Sequence, residues 1–180
     1  KKGKIAYFYI GENYYYQGDY KNALGAFKKS LEIAQDPGID FYSIYDTAWS
    51  YMKLGQYEDA VKEFDRLEGL KKDDNLMDSV LDGKAQAFIK MEKFDEALKC
   101  FTGIIERFPK GSLVLNAYLG KSEALYRLGL YEDAIGILKD GIKRFPSGTY
   151  LDDMEYNLGW LYIKTSRYND AIDEFSKVIK

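Results

Sequence analysis

The sequence predicts an all-α fold built from five copies of one helix-turn-helix unit, and three observations lead to it. One short phrase occurs five times, as YYQGDYKNA (15–23), MKLGQYEDA (52–60), IKMEKFDEA (89–97), YRLGLYEDA (126–134) and IKTSRYNDA (163–171). Its spacing is 37 residues every time, and repetition at roughly 20–50 residues is typical of solenoids and related arrays. Apolar residues on both sides of each phrase recur three and four positions apart, which is helical spacing.

The first helix of each unit is predicted from the residues before the phrase. We number the units so that position 15 holds Gly18, Gly55, Glu92, Gly129 or Ser166. Positions 4, 8 and 11 are then spaced to face the second helix. Position 8 is small in every unit, which lets the two helices approach closely where they cross. Its five residues are Gly11, Ala48, Ala85, Ser122 and Gly159.

A tight turn is predicted at position 15, near residues 17–20, 54–57, 91–94, 128–131 and 165–168. Glycine suits the left-handed conformation in which helices often stop. Glu92 and Ser166 depart from glycine, so we expect those two turns to be closed differently or less stably.

The second helix follows the turn and has its own fixed residues. Position 17 is always aromatic and position 20 is always alanine, as in Tyr57 and Ala60. Aromatic residues at positions 11, 17 and 24 are expected to fill the space around the close helix contact. Acidic pairs such as Glu58 and Asp59 suit the positive N-terminal end of this helix.

Composition and charge favour a folded, non-catalytic domain. The chain has 180 residues, 46% hydrophobic and 31% charged, and a net charge of −3, which argues against a nucleic-acid partner. It contains no histidine, so it lacks the commonest general base and the usual zinc ligand sets. The lone Cys100 is expected to be a buried or half-buried structural thiol. No phosphate-loop or calcium-loop pattern occurs, and we predict no enzyme, no cofactor and no metal, although a site based on lysine or carboxylates stays open.

The repeated positions resemble the tetratricopeptide repeat. The similarity lies at positions 4, 8, 11, 20, 24 and 27, with Pro109 and Pro146 near position 32, although position 27 lacks the family's usual alanine. It implies a right-handed α-solenoid of ten antiparallel helices, in one array over 1–180. The unit is longer than the common form of about 34 residues, and the extra length is expected at the start of the first helix. The predicted repeats are 4–37, 41–74, 78–111, 115–148 and 152–180.

Two joints between repeats suggest a cellular location. RFPKGS (107–112) and RFPSGTY (144–150) are similar to joints in bacterial cell-envelope members of the family, such as the periplasmic partner of the Tol-Pal system and an outer-membrane assembly lipoprotein. The resemblance favours a periplasmic or cell-envelope location over a cytoplasmic one. No apolar run approaches the roughly 18 residues that cross a bilayer, so direct membrane insertion is not expected. We also expect the chain to be a fragment of a longer protein.

A candidate binding groove follows from a second stripe on the first helices, at positions 2, 5, 9 and 12. Packing between neighbouring first helices is an equal alternative for its aromatic residues. The groove is aromatic and mildly acidic, unlike the cationic groove that resembles chaperone-tail receptors. The predicted partner-binding residues are Phe8, Tyr9, Glu12, Tyr15, Tyr42, Tyr45, Trp49, Asp82, Gln86, Glu123, Tyr126, Tyr156 and Trp160.

The leading functional hypothesis is a scaffold that binds a peptide or a partner helix in this groove, with aromatic residues as anchors. In this hypothesis the rings of Tyr45 and Trp49 are accessible. The alternative is a structural spacer within a longer array, whose groove residues are silent. A third and weaker hypothesis is a carbohydrate-binding or enzymatic domain that uses Trp49 and Trp160 as stacking platforms. The apolar side of 171–179 further predicts self-association through uncapped ends.

Overall fold

The computed structural model describes residues 2–70, 76–147 and 150–179, and ten α-helices lie within these ranges. They contain no strand, which confirms the all-α fold. All five predicted turns fall between consecutive helices, as predicted. The predicted repeat limits at 74, 148 and 180 lie outside the described residues. The helices are α1 (Lys2–Tyr16), α2 (Tyr20–Glu32), α3 (Pro37–Lys53), α4 (Tyr57–Gly69), α5 (Met77–Lys90), α6 (Phe94–Arg107), α7 (Val114–Arg127), α8 (Tyr131–Arg144), α9 (Leu151–Lys164) and α10 (Tyr168–Val178).

The chain divides into two compact units, Lys1–Met91 and Glu92–Lys180. In the first unit each helix from α1 to α5 packs against the next one along the chain. In the second unit the same holds from α6 to α10. Consecutive helices thus form the core of each unit. That all five repeats form a single array stays a prediction.

The turns share one backbone conformation, whatever residue occupies position 15. Gly55 and Gly129 have φ angles of 73° and 76°, and Glu92 and Ser166 have φ angles of 57° and 59°. The N–H of Ser166 donates to the Ile163 carbonyl at 3.1 Å, the same bond that Gly55 makes to the residue three before it. Ser166 therefore does not close its turn differently, and the other expectation, that its turn is less stable, stays a prediction. The left-handed conformation instead places a side chain where L-residues are strained.

Close helix contacts depend on the small residues, as the sequence indicates. A Cβ atom added to Gly11 would lie 2.4 Å from Cε1 of Phe27, and one added to Gly159 would lie 2.7 Å from Cε1 of Phe175. These rings belong to the second helix, at position 24 of the same repeat. The alanines at position 20 are all buried. Cys100 is also buried, on α6.

The first unit contains a buried ion pair that the sequence analysis did not anticipate. Lys4 is 1% exposed and forms an ion pair with Asp40 at the start of α3. Its Nζ also donates to the carbonyls of Ser30 at 3.0 Å and Ile33 at 3.2 Å. The lysine therefore joins α1 to the end of α2 and to α3.

Candidate functional site

A pocket of about 610 Å³ lies between α7 and α9 in the second compact unit. Pockets that hold small ligands or peptide side chains typically span about 300–1,000 Å³. Four predicted groove residues line it, which are Glu123, Tyr126, Tyr156 and Trp160. The structure therefore brings together the predicted residues of the last two repeats.

Helical spacing directs these side chains into the pocket. Glu123 and Tyr126 are three residues apart on α7, and Tyr156 and Trp160 are four apart on α9, so each pair shares one helix face. Gly120 brings α7 close to α6, since an added Cβ would lie 2.4 Å from Cζ of Phe101. The position of α7, and so of its two pocket side chains, is thus fixed by close packing against the second helix of the preceding repeat.

The aromatic wall on α9 is oriented by α10. The rings of Tyr156 and Trp160 lie 6.3 Å apart at 74°, and both make edge contacts with Phe175, at 5.7 and 6.1 Å between centroids. Each of the two side chains nevertheless stays 49% exposed. Such a ring combines a fixed orientation with free apolar surface, which is the property of an interface anchor.

The polar rim of the pocket is mildly acidic. Glu123 on α7 and Asp153 on α9 are both exposed and line opposite walls. Neither forms an ion pair with any residue that the structure describes. Lys164 also lines the pocket, and its Nζ lies 6.0 Å from the centroid of Tyr126. Two carboxylates and one ammonium leave the rim with an excess of one negative charge.

The predicted groove residues of the first compact unit are mostly packed. Tyr9 and Tyr42 are exposed, whereas Tyr15, Tyr45 and Trp49 are only partly so. The Trp49 ring packs on Phe64 at 5.9 Å. Trp49 Cζ2 also lies 3.1 Å from the position of a Cβ added to Gly83. The Trp49 ring is therefore only partly exposed, because it packs between α4 and α5, as the packing alternative expects, and a role in binding a partner stays a prediction.

Phe8 and Asp82 are corrections of the same kind. Phe8 is buried against Phe27, with their centroids 6.1 Å apart, and belongs to the core. Asp82 is buried on α5, where burial raises the pKa of its carboxyl. The Gln86 side chain is exposed and its amide donates to Asp82. The carboxyl of Asp82 is thus held by its own helix.

Asp46 is a residue with a perturbed pKa that the sequence analysis missed. Its carboxyl on α3 is partly buried, and burial, with the nearby Glu12 carboxylate as the second cause, raises its pKa to about 7. Asp46 occupies position 6, where the next two repeats have Gly83 and Gly120. This comparison between repeats could have pointed to Asp46, because glycine at the same position of the next two repeats indicates that there is little space for a side chain between the helices there.

Within the described residues, no cluster of His, Cys, Asp or Glu side chains is arranged to hold a metal ion. In the same part of the chain, no helix has both the length and the apolar character needed to span a membrane.

Comparison with protein families identifies the repeat. Four models, each described as tetratricopeptide repeat, match residues 5–37, 42–68, 83–149 and 156–180. Each predicted repeat is therefore matched wholly or in part. A search of curated proteins finds no match.

Solved structures of similar fold include three informative ones. MamA from Desulfovibrio magneticus RS-1 has a TM-score of 0.80 at 18% identity, covering 99% of this chain and 94% of that one. The apo form of RapI has a TM-score of 0.83 at 16% identity, and the match covers 97% of this chain and 68% of RapI. YrrB, described as a TPR protein with an unusual peptide-binding site, has a TM-score of 0.72 at 17% identity, and the match covers 96% of this chain and 83% of YrrB. At these identities the likeness shows the fold alone.

Proposed function

The chain belongs to the tetratricopeptide-repeat family, and on that premise we propose that it is a non-catalytic scaffold that binds a peptide segment of a partner protein in the α7–α9 pocket. The observation that carries the proposal is the pair of half-exposed rings, Tyr156 and Trp160, in a pocket of about 610 Å³. Large rings that are held in place yet exposed are the usual anchors of protein interfaces.

The repeat architecture supports this use of the pocket. Stability in stacked helix pairs comes from contacts between neighbouring helices, which leaves the face of the first helices free to bind. In the second unit these contacts include the one between Phe175 and Trp160. A preformed pocket loses less conformational entropy on binding than one that must first be ordered, which favours affinity. The peptide-binding site named for YrrB is consistent with the proposal.

A peptide selection tests the proposal on the whole chain. Peptides selected from a randomised displayed library are synthesised, and their affinities are measured by fluorescence anisotropy. Trp160→Ala should weaken binding about thirtyfold, the usual cost of about 2 kcal/mol for a central aromatic anchor. Tyr168→Ala is the matched control, since Tyr168 is 61% exposed on α10 and does not line the pocket. Peptides that bind equally well to the Trp160 variant would refute the pocket as the site.

A spacer role is the second candidate, and it is favoured for the first compact unit. There the ring of Trp49 packs on Phe64, and Phe8 packs on Phe27. Both side chains therefore stabilise helix contacts. The location in the cell envelope stays a prediction, and fractionation of the source cell would test it.

A further inference from the structure

Building on the proposed peptide-binding function, we propose that the α7–α9 pocket selects segments that place a lysine or arginine side chain against Trp160, between Glu123 and Asp153. The partner therefore carries a basic residue on a peptide segment. The charge of the pocket rim, its uncovered rings and the cost of placing other side chains there all favour such a residue.

The charge of the rim is the first feature. Glu123 and Asp153 stand on opposite walls of one pocket and form no ion pair within the described ranges. A cation in this pocket is attracted by both carboxylates and can donate a charge-assisted hydrogen bond to the one that it reaches. Arginine fits such a site especially well, because its planar guanidinium has five donors.

The uncovered rings are the second feature. Tryptophan is the best ring for a cation placed over its face. Cations in the described residues lie over tyrosine and phenylalanine rings in seven places, and in the pocket Lys164 lies over Tyr126. None of them lies over Tyr156 or Trp160. These two rings, each 49% exposed, can therefore accept a cation from a partner.

The cost of other occupants is the third feature. A purely apolar side chain would cover Trp160 but would remove water from two carboxylates and leave them without a partner. An acidic side chain would face both carboxylates, with only Lys164 to compensate. The methylene groups of a basic side chain can pack on the aromatic wall, while its charge is attracted by the carboxylates.

The test starts from the selected peptides and removes their charge. The most enriched peptide is synthesised with its basic residues intact, and again with lysine replaced by norleucine or arginine by citrulline. We expect enrichment of basic residues over the starting library, and about tenfold weaker binding of the neutral peptide to the wild-type chain.

Protein variants then locate the charge contact. The double variant Glu123→Gln with Asp153→Asn should weaken binding of the basic peptide by about the same tenfold. It should leave the affinity for the neutral peptide unchanged, so that the effects of changing the protein and changing the peptide are not additive. Glu106→Gln with Asp152→Asn is the matched control, since both residues are exposed and neither lines the pocket. This control variant also removes two negative charges, and its affinity for the peptide should stay within twofold of that of the wild-type chain.

The outcomes separate the two proposals. If the selected peptides need Trp160 but carry no excess of basic residues, or if the charge changes are additive, the basic-side-chain proposal is overturned while the peptide scaffold stands. If the control variant weakens binding as much as the pocket variant, general charge attraction explains the affinity and the proposal also falls. If no selected peptide depends on Trp160, both proposals fail together.

Discussion

Trp49 and Trp160 occupy the same position of the repeat, position 9, yet their surroundings differ. Trp49 meets Phe64 on α4 and the backbone at Gly83 on α5. Trp160 meets Tyr156 and Phe175 and keeps about half of its surface exposed. One residue type at one repeat position therefore has a packing role in one repeat and a proposed binding role in another.

Alanine at these two positions should have unequal effects on folding. Trp49→Ala should lower the free energy of unfolding by about 2–4 kcal/mol, because the ring is packed between helices. Trp160→Ala should cost about 1 kcal/mol, because half of the ring is already in water. Urea denaturation of both variants measures the difference. Equal losses, or a loss of peptide binding in the Trp49 variant, would contradict these assignments.

Asp46 should make stability depend on pH. Because its pKa is raised from 3.8 to about 7, the folded chain binds this proton more tightly than the unfolded chain. The free energy of unfolding should therefore fall as pH rises from about 4 to above 7. Asp46→Asn removes the charge and should stabilise the chain at pH 8 by about 1–2 kcal/mol, after allowance for solvent screening, with little effect at pH 4.

Denaturant titrations at pH 5 and pH 8 check this expectation. Glu12→Gln is a useful second variant, because Glu12 contributes to the raised pKa of Asp46 and its removal should reduce the pH dependence. The hydroxyls of Tyr15 and Tyr45 also interact electrostatically with Asp46, and neither substitution removes them. An Asp46 variant with the same pH dependence as wild type would show that the carboxyl is not perturbed.

At the scale of the helix and its turn, the repeat accepts a non-glycine residue at some cost. Ser166 has a φ angle of 59° and makes the same type of bond as Gly129, whose N–H donates to the Tyr126 carbonyl. The hydrogen bonds of the turn thus hold Ser166 in a left-handed conformation that residues with a side chain disfavour. The remaining strain is specific to the L-residue and should be measurable.

Ser166→Gly should raise the free energy of unfolding by about 0.5–1 kcal/mol, since relief of strain exceeds the extra entropy of glycine in the unfolded chain. The reverse change, Gly129→Ser, should lower it by a similar amount. Thermal and urea denaturation of this matched pair give the two values. Changes of the same sign in both variants would show that the turn conformation does not decide the effect.

At the scale of the whole molecule, α10 presents an apolar surface that no other described helix covers, since α9 is its main partner in this part of the chain. Ile172 is 62% exposed and Ile179 is 85% exposed. An exposed apolar surface of this kind favours association with another molecule.

We therefore expect the chain to self-associate, with a mass that increases with concentration in light scattering. Ile172→Lys should shift the chain toward the monomer, because a charge would be buried in the contact. Leu130→Lys is the control, since Leu130 is 46% exposed outside α10. A wild-type chain that stays monomeric at all concentrations would contradict the expectation.

The helices and turns were predictable from the sequence because their signals are local. The 37-residue spacing, the apolar periodicity and the residue at position 15 all act within one helix pair. Every predicted turn was found, and the small residues at Gly11 and Gly159 meet the rings that their positions indicate. Residues close together in the sequence determine both the backbone conformation of a turn and the side-chain size that a close helix contact allows.

Tertiary structure alone decided which residues of the groove stripe remain exposed. Gly83 lets the Trp49 ring lie against the backbone of the next first helix, and Phe8 fills the space beside Phe27. Tyr156 and Trp160 instead keep half of their surface free. The same packing removes water from the carboxyl of Asp46 and raises its pKa. Burial depends on what the neighbouring repeat places opposite a side chain, and a repeat position by itself does not contain that information.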